Sequence, residues 1–394
     1  MITTIFKNAI LTAAAFAAFA TTAQAGGYSR GEADTDILFE SGDFIFRAGA
    51  TYVSPRRTFK TTGSGPSLKD PNTDGVYTND YWIPSVAAKI GVSENFACAL
   101  TYTQPFGADA TYGNNVRLAQ ALAGNRPYSD KGFETNEYGA TCDVKFDAGA
   151  GKIHLLGGIF LQDFTYDAVI QPPGAAPMGR FHLQDDAAFG YRIGAAYEIT
   201  EYALRVSLMY RSKVKHEADE GDLNIFSGAG AGVYSATGYG TLPQSVKLSV
   251  QTGVAPGWLV YGSAKWTDWS VLDSLNYNID SVIPGIGGAN KDVYNWKDGW
   301  TLQAGVAHVF NEKLTGTVNL TWDSGVSTGA DIHEDSVTLG AGVLAKLGPG
   351  DLRFGAGVTH MSSGSQSTAQ GATFDATGGG GWAYGVTGSY KISF

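Results

Sequence analysis

The sequence of 394 residues predicts an all-β fold, a transmembrane antiparallel β-barrel. Three observations predict it. The C-terminal segment alternates apolar residues with small or polar ones and ends on Phe394, similar alternating segments recur along the chain, and the connections between them alternate between short and long. A period of two places successive side chains on opposite faces of a strand. Barrels that span membranes turn one such face to lipid and the other to a wet lumen.

The amino terminus predicts a secretory signal peptide over residues 1–25. Lys7 precedes the apolar run Ala9–Ala20, and Ala23–Ala25 forms a small-residue cleavage motif. The run is too short for a spanning helix, and a buried core helix is the alternative interpretation. Cleavage after Ala25 leaves 369 residues (394 minus 25). We expect residues 26–41 to form a short N-terminal plug segment and residues 42–394 to form the barrel with its loops.

The alternating segments are the predicted wall strands. Even strand numbers are the rule in bacterial single-chain barrels, which favours fourteen over thirteen. We expect the last strand to pair with the first, near Phe44–Tyr52, because an open sheet edge is not tolerated in hydrocarbon. The fifth segment is apolar on both faces, so its orientation stays open. The fourteen segments lie near residues 44–52, 82–91, 96–103, 138–146, 153–164, 189–198, 204–211, 243–254, 258–269, 296–310, 313–323, 335–346, 351–361 and 381–394.

The connections predict which barrel end faces the cell exterior, because outer-membrane barrels have short periplasmic turns and longer outer loops. A soluble β-sandwich or β-helix would not explain the signal peptide, this asymmetry and the terminal strand together. Within 106–135, Val116–Ala123 before Gly124 predicts a short helix, with a loop packed on its own barrel as the alternative. The short turns lie at 93–95, 147–152, 200–201, 255–256, 311–312 and 348–350, and the long loops at 55–80, 106–135, 165–185, 216–242, 270–295, 324–334 and 362–380.

The net charge limits the possible partners, and the two cysteines raise the question of a disulfide. The formal net charge of −10 argues against nucleic acid as a partner. The two cysteines, Cys98 and Cys142, both fall on the predicted outward face of adjacent strands. A cross-strand disulfide is one interpretation, since the periplasm is oxidising, and two lipid-facing thiols that pack as small hydrophobic groups are the other.

Three segments resemble a known family. Trp82–Gly107 combines Pro84 early in a strand, a short turn, an apolar strand and then P-F-G. Tyr210–His216 contains an R-S element at a strand end, and Trp266–Ser270 is rich in aromatic residues. Together these segments resemble the FadL family of outer-membrane transporters for long-chain fatty acids and other hydrophobic compounds.

The resemblance implies a fourteen-stranded barrel with an amino-terminal plug and passive diffusion of the ligand. In that family, outer loops capture ligands, which bind inside and leave sideways near a strand kink. Family members usually carry a longer plug with an N-P-A element. Here only residues 26–41 precede the first strand and N-P-A does not occur, so we expect a plug that is short or differently built.

Transport of hydrophobic carboxylates requires an apolar capture surface and a cationic anchor. Arginine binds carboxylates in bidentate geometry. Inward acids such as Asp143, Glu198 and Asp323, or lumen water, are the alternative partners of inward cations. The candidate capture residues are Leu118, Leu122, Phe133, Leu223, Ile225 and Phe226. The candidate ligand-binding cations are Arg47, Arg205, Arg211, Lys265 and Arg353, from an inward set that also contains Lys89, Lys145, Arg192 and Lys247.

Enzyme motifs are absent from the sequence. No recognised metal-ligand spacing, nucleophile elbow or P-loop occurs, so we expect no enzyme activity, no metal and no cofactor. A lipid-facing phospholipase site at His308 is a minor alternative. The prediction is a monomeric outer-membrane barrel of a Gram-negative bacterium that contacts membrane lipid and passes hydrophobic molecules, either long-chain fatty acids or aromatic hydrocarbons. A porin for small polar solutes and a surface adhesin or structural barrel are the alternatives.

Overall fold

The computed structural model describes residues 27–63, 74–228, 230–283 and 285–394. Fourteen antiparallel strands form a closed barrel, each paired with its two neighbours in chain order. The predicted signal peptide lies outside the described residues. The wall strands are β1 Phe44–Arg56, β2 Tyr81–Ser93, β3 Phe96–Thr103, β4 Glu137–Ala148, β5 Gly151–Ile170, β6 Gly179–Ile199, β7 Leu204–Arg211, β8 Ser245–Ala255, β9 Trp258–Thr267, β10 Gly299–Asn311, β11 Leu314–Asp323, β12 Ser336–Leu347, β13 Gly350–Met361 and β14 Gly381–Ser393.

The closing pair is the predicted one. In the ladder between β1 and β14, Phe46 lies opposite Ile392 and Tyr52 lies opposite Val386. The backbone N–H of Phe394 donates to the carbonyl of Phe44 over 2.9 Å. The pairing satisfies the backbone groups that an open edge would expose to lipid.

Burial follows the predicted period of two. On β1, Phe44 and Phe46 are exposed on the outer surface, whereas Ile45 and Arg47 are buried inside. The fifth segment, whose orientation the sequence left open, turns its odd-numbered residues outward, and Phe160 is buried in the lumen. Exposed aromatic side chains lie near both ends of the outer surface, as expected for interfacial girdles: Trp82, Tyr138, Trp300 and Trp382 near the loop end, and Phe44, Phe146, Trp258 and Phe310 near the turn end.

The outer loops contain more regular structure than predicted. Residues 165–185 are not a loop, because β5 and β6 continue as a long hairpin to Ile170 and from Gly179. Neighbouring loop strands pair with this extension and satisfy its backbone hydrogen-bonding groups. The polar, glycine-rich composition of the loops does not indicate this pairing. The predicted helix is confirmed as α1, Asn114–Leu122. The loop strands are Phe59–Thr62, Gly107–Thr111, Tyr128–Glu134, Val214–Ala218, Glu220–Ile225, Gly232–Leu242, Ser274–Ile279, Gly288–Val293, Gly364–Gln366 and Ala376–Gly378, with 3₁₀ turns at Thr35–Phe39, Thr200–Tyr202, Trp269–Val271 and Thr368–Gln370.

Helices do not cross the membrane in the described part of the chain, since none there combines enough length with enough apolar character.

The two cysteines are directly opposed on β3 and β4. In the structure Cys98 and Cys142 form a disulfide across this pair, with their Cα atoms 4.0 Å apart. The bond ties β3, a strand of only eight residues, to its longer neighbour. The position is compatible with the oxidising periplasm through which such a protein folds.

We predict that protein isolated without reductant carries no free thiol. Alkylation of the denatured protein, followed by mass measurement, should add no label before reduction and two labels after it. Two labels without reductant would show that Cys98 and Cys142 are separate lipid-facing thiols.

Candidate functional site

The N-terminal segment, residues 27–43, passes through the barrel lumen and is called the plug below. It begins near the loop end, where the Tyr28 ring lies 4.7 Å from that of Trp296 and 6.1 Å from that of Trp269. It ends at the turn end, where β1 begins at Phe44. Gly27 has a φ of +69°, and a Cβ there would lie 2.5 Å from the indole of Trp269. Only glycine therefore fits at the start of the plug.

The upper part of the plug pairs with the chain just after β3. The N–H of Arg30 donates to Pro105 O over 2.7 Å, and the N–H of Gly31 donates to Gln104 O over 2.8 Å. Ser29 forms an antiparallel bridge with Phe106. The predicted P-F-G element thus bends into the lumen and holds the plug by backbone hydrogen bonds.

Ionic contacts attach the plug to the barrel wall at two levels. At the upper level, Glu32 contacts Lys247 Nζ at 2.6 Å and Lys265 Nζ at 2.9 Å. Desolvation inside the lumen opposes ionisation of Glu32, but the two ammonium groups outweigh it and hold the pKa of its carboxyl well below the ordinary value. We call this contact the upper anchor.

The lower anchor lies near the periplasmic turns. Glu40 contacts Arg47, Arg353 at 3.1 Å and Lys391 at 2.7 Å. Asp34 also contacts Arg47, at 2.5 Å. The Glu40 side chain is only 10% exposed and those of its cation partners are 3–13% exposed, so the lower anchor is mostly buried.

A third ionic group belongs to the wall alone. Glu137 on β4 contacts Arg192 on β6 and Arg211 on β7, the latter at 2.7 Å. The two guanidinium groups lie 5.0 Å and 4.5 Å from the ring centre of Phe160. One carboxylate and two aromatic-stacked arginines leave a net positive charge beside the plug.

The predicted lumen cations therefore face inward, but their partners differ from those expected. Of the acids named as alternatives, Asp143 contacts His154 and Asp323 accepts from Thr301. Arg47 and Arg353 contact Glu40 of the plug and Lys265 contacts Glu32 of the plug. Arg211 instead contacts Glu137 of the wall. Arg205 lies 3.9 Å from Asp36 of the plug. A ligand role for Arg47, Arg205, Arg211, Lys265 and Arg353 stays a prediction.

A cavity of about 790 Å³ lies between the outer loops above the plug. Its volume is typical of small-molecule sites. Stacked rings form its walls, including Phe59 on Tyr77 at 4.1 Å and Tyr294 on Trp296 at 4.5 Å. Its aromatic lining comes from residues far apart in the chain: Tyr28, Phe59, Tyr77, Tyr81, Tyr112, Tyr128, Phe133, Tyr166, Tyr277, Tyr294, Trp296 and Phe374.

The polar groups of this aromatic cavity are mostly paired with each other. Asp331 accepts from the Tyr28 hydroxyl at 2.6 Å and from the Trp296 indole at 2.8 Å. Burial, together with the Asp331 carboxylate, raises the pKa of Tyr28 well above its usual range. Burial and the nearby Arg57 lower the pKa of His333 to about 3, so this ring is neutral at physiological pH. Charged groups also line this cavity, and several of them are paired: Lys131 contacts Asp292 at 2.7 Å and Arg30 contacts Asp109 at 2.8 Å. The paired groups leave the aromatic rings available to contact an apolar ligand.

The predicted capture residues divide into two sets. Leu223 and Ile225 are buried and Phe133 packs against the same loop core, so these side chains form the mouth of the barrel. Leu118 and Leu122 on α1 are 38% and 70% exposed, and Phe226 is 52% exposed. The sequence did not predict the aromatic lining of this cavity, apart from Phe133. Its only sequence signal is an unusual density of aromatic residues in loops that are otherwise polar.

The wall ladder is interrupted beside the upper plug. Pairing between β2 and β3 stops at Ser85 and Thr103, and pairing between the flanking segments resumes at Thr78 and Ala110. The Gly31 backbone lies against this interruption, since a Cβ there would meet Thr103 Oγ1 at 2.3 Å. We call this interruption the wall gap.

Arg30 of the plug connects the two edges of the wall gap. Its guanidinium lies 4.1 Å from the ring centre of Tyr81 on β2, and its Nη2 lies 2.8 Å from Asp109 Oδ2 on the opposite edge. Arg30 is almost fully buried. The plug thus closes the gap from inside by one side chain as well as by its backbone.

The structure combines a closed barrel, a plug in its lumen, an aromatic cavity above the plug and a gap in the wall beside it. This combination defines the class of plugged outer-membrane transporters. The sequence profile of the family described as outer membrane protein transport protein (OMPP1/FadL/TodX) matches residues 12–323. The chain belongs to this family, which places it in the outer membrane.

Individual relatives are more distant. A long-chain fatty acid transport protein of Salmonella typhi is 25% identical over 297 residues, covering 66% of this chain and 67% of the relative. A FadL homologue of Pseudomonas aeruginosa superposes with a TM-score of 0.72 at 16% identity, covering 95% of this chain and 97% of the other. The Pseudomonas putida toluene transporter TodX superposes with a TM-score of 0.62 at 15% identity, covering 94% and 96%. The two structural likenesses concern the fold alone.

Proposed function

We propose that this protein takes up hydrophobic molecules passively across the outer membrane, with long-chain fatty acids and aromatic hydrocarbons as the candidate ligands. The observation that carries the proposal is the aromatic cavity directly above a plug that also closes a gap in the wall. The relatives named for fatty acids and for toluene support the same ligand classes.

The arrangement suggests a path. Exposed apolar residues of α1 and Phe226 meet the ligand at the surface, and the aromatic cavity desolvates it. Arg30 lines both this cavity and the cavity around the plug, so displacement of the plug near Arg30 connects them. The same displacement unblocks the wall gap, through which an apolar molecule leaves sideways into the membrane. No energy source is required, because the ligand moves from water to lipid.

A porin function is less well supported by the described lumen. The plug crosses it and is held at two levels by ion pairs, so the closed state offers polar solutes no wide path. Swelling of liposomes in sugars would favour the porin alternative.

A reversible tether tests the proposal. We predict that Ser29→Cys combined with Phe106→Cys forms a disulfide, because the two residues are paired across an antiparallel bridge. The oxidised double variant should lose uptake of oleate and toluene, and reductant should restore it. The tether fixes the plug against the wall gap without filling the aromatic cavity.

Each single-cysteine variant, and wild type treated with reductant, serve as controls for lost packing and for opening of the native disulfide. Full uptake by the oxidised double variant would show that the plug does not move there. If deletion of the whole protein left uptake of both compounds unchanged, the proposed function itself would be wrong.

A further inference from the structure

The upper anchor contains a pair of like charges that the wall alone does not explain. Lys247 on β8 and Lys265 on β9 are directly opposite each other in the ladder. Like charges in this position repel and destabilise the strand pair. In the structure Glu32 of the plug lies between their ammonium groups, at 2.6 Å and 2.9 Å. The two lysines therefore form an anion site whose present occupant is a carboxylate of the same chain.

The three ionic groups of the lumen differ in whether their carboxylate can leave. Glu137 belongs to strand β4 and is fixed in the wall. Glu40 lies four residues before β1 and contacts three cations, and all four side chains are mostly buried. Glu32 lies twelve residues before β1, which begins at Phe44. Of the three, only Glu32 lies far along the chain from any wall strand and binds a pair of wall cations that would stay in place after it left.

The upper anchor is also open to a ligand. The Glu32 side chain is 43% exposed and that of Lys247 is 36% exposed, against 10% for Glu40. Both face a lumen cavity of about 300 Å³. Phe106 and Met209 supply apolar lining in this cavity, and Arg30 connects it to the aromatic cavity above. A molecule with an apolar body and one terminal carboxylate fits this combination of surfaces.

We propose that Lys247 and Lys265 form a carboxylate subsite for which the ligand and Glu32 compete. A carboxylate ligand that binds there replaces Glu32, so its binding releases the upper plug from the wall. A neutral hydrophobic ligand gains nothing from this exchange. The inference rests on the proposed function. It adds a specific binding site and a physical reason why the protein would prefer carboxylate ligands to neutral ones.

The test measures the affinity of the purified full-length protein for oleate and for oleyl alcohol, which share a chain and differ in charge. Lys247→Gln combined with Lys265→Gln should weaken oleate binding by roughly tenfold or more, as expected for lost charge-assisted bonds. Oleyl alcohol binding should stay unchanged. Glu32→Gln should strengthen oleate binding, because the internal competitor loses its charge. The matched control is Lys313→Gln with Lys346→Gln, two exposed lysines at the periplasmic turns.

Unchanged oleate binding by the Lys247/Lys265 variant would overturn the subsite, and so would weaker oleate binding by Glu32→Gln. Equal loss for oleate and oleyl alcohol would overturn it too, because the lysines would then act only on structure. In each of these cases wild type still binds both compounds, so the proposed function stands. If wild type binds neither, the proposed function fails together with the inference.

Discussion

Replacement of Glu40 by glutamine is expected to detach the lower end of the plug and to make the barrel conduct ions. In the structure Glu40 contacts Arg47, Arg353 and Lys391, whose side chains are 3–13% exposed. Lys89 also donates to the backbone carbonyl of Glu40. Loss of one partner from a buried ion pair costs about 3–5 kcal/mol. Asp34 still contacts Arg47 and Asp351 still contacts Lys391 after the substitution, so we expect a cost at the lower end of this range.

The substitution raises the free energy mainly of the closed state, in which the plug occupies the lumen. When the plug leaves, lumen water can solvate the three cations, so the substitution disfavours the plugged form relative to the open one. A change of about 3 kcal/mol shifts that equilibrium by roughly a hundredfold. We expect Glu40→Gln to show frequent large openings in planar bilayers and to make cells more sensitive to polar antibiotics.

Glu312→Gln is the matched control, because Glu312 is exposed in the turn between β10 and β11. The control should retain the low conductance of wild type. Equal conductance in Glu40→Gln and wild type would mean that backbone pairing near Pro105 holds the plug without the lower anchor.

Period-two alternation was sufficient to predict the wall. It depends only on residues adjacent in sequence, and every wall strand has one face in lipid and one in the lumen. The closing pair of β1 and β14 followed from the same physics, since a barrel in hydrocarbon has no free edge. The long hairpin of β5 and β6 was missed beyond the membrane, because both of its faces there contact protein or water and the alternation no longer marks an interface.

The plug contacts could not be predicted because their partners are far apart in the chain. Glu32 and Lys247 are separated by 215 residues, and Glu40 and Lys391 by 351. The sequence predicted which cations face inward, and it predicted a plug over residues 26–41. It contained no indication of which plug acid meets which wall cation, since that register depends on how the plug crosses the lumen.

The second large effect is expected at Glu137, where charge is most deeply buried. The Glu137 side chain is 2% exposed, and those of Arg192 and Arg211 are 3% and 15% exposed. Glutamine keeps the size of the side chain but leaves two guanidinium groups beside Phe160 without the Glu137 counter-charge. We expect Glu137→Gln to lower the free energy of unfolding by about 3–5 kcal/mol. Urea unfolding in lipid vesicles, followed by tryptophan fluorescence, measures this change.

Glu134→Gln supplies the control, because Glu134 lies three residues earlier and is exposed. A double variant separates charge from packing. If burial of excess positive charge causes the loss, Glu137→Gln with Arg211→Gln should be more stable than the sum of the two single effects predicts, since removal of one arginine relieves the repulsion. Additive losses would instead mean that each side chain contributes through its own packing. The coupling between Glu137 and Arg211 is therefore the quantity that decides whether this group stabilises the wall by charge.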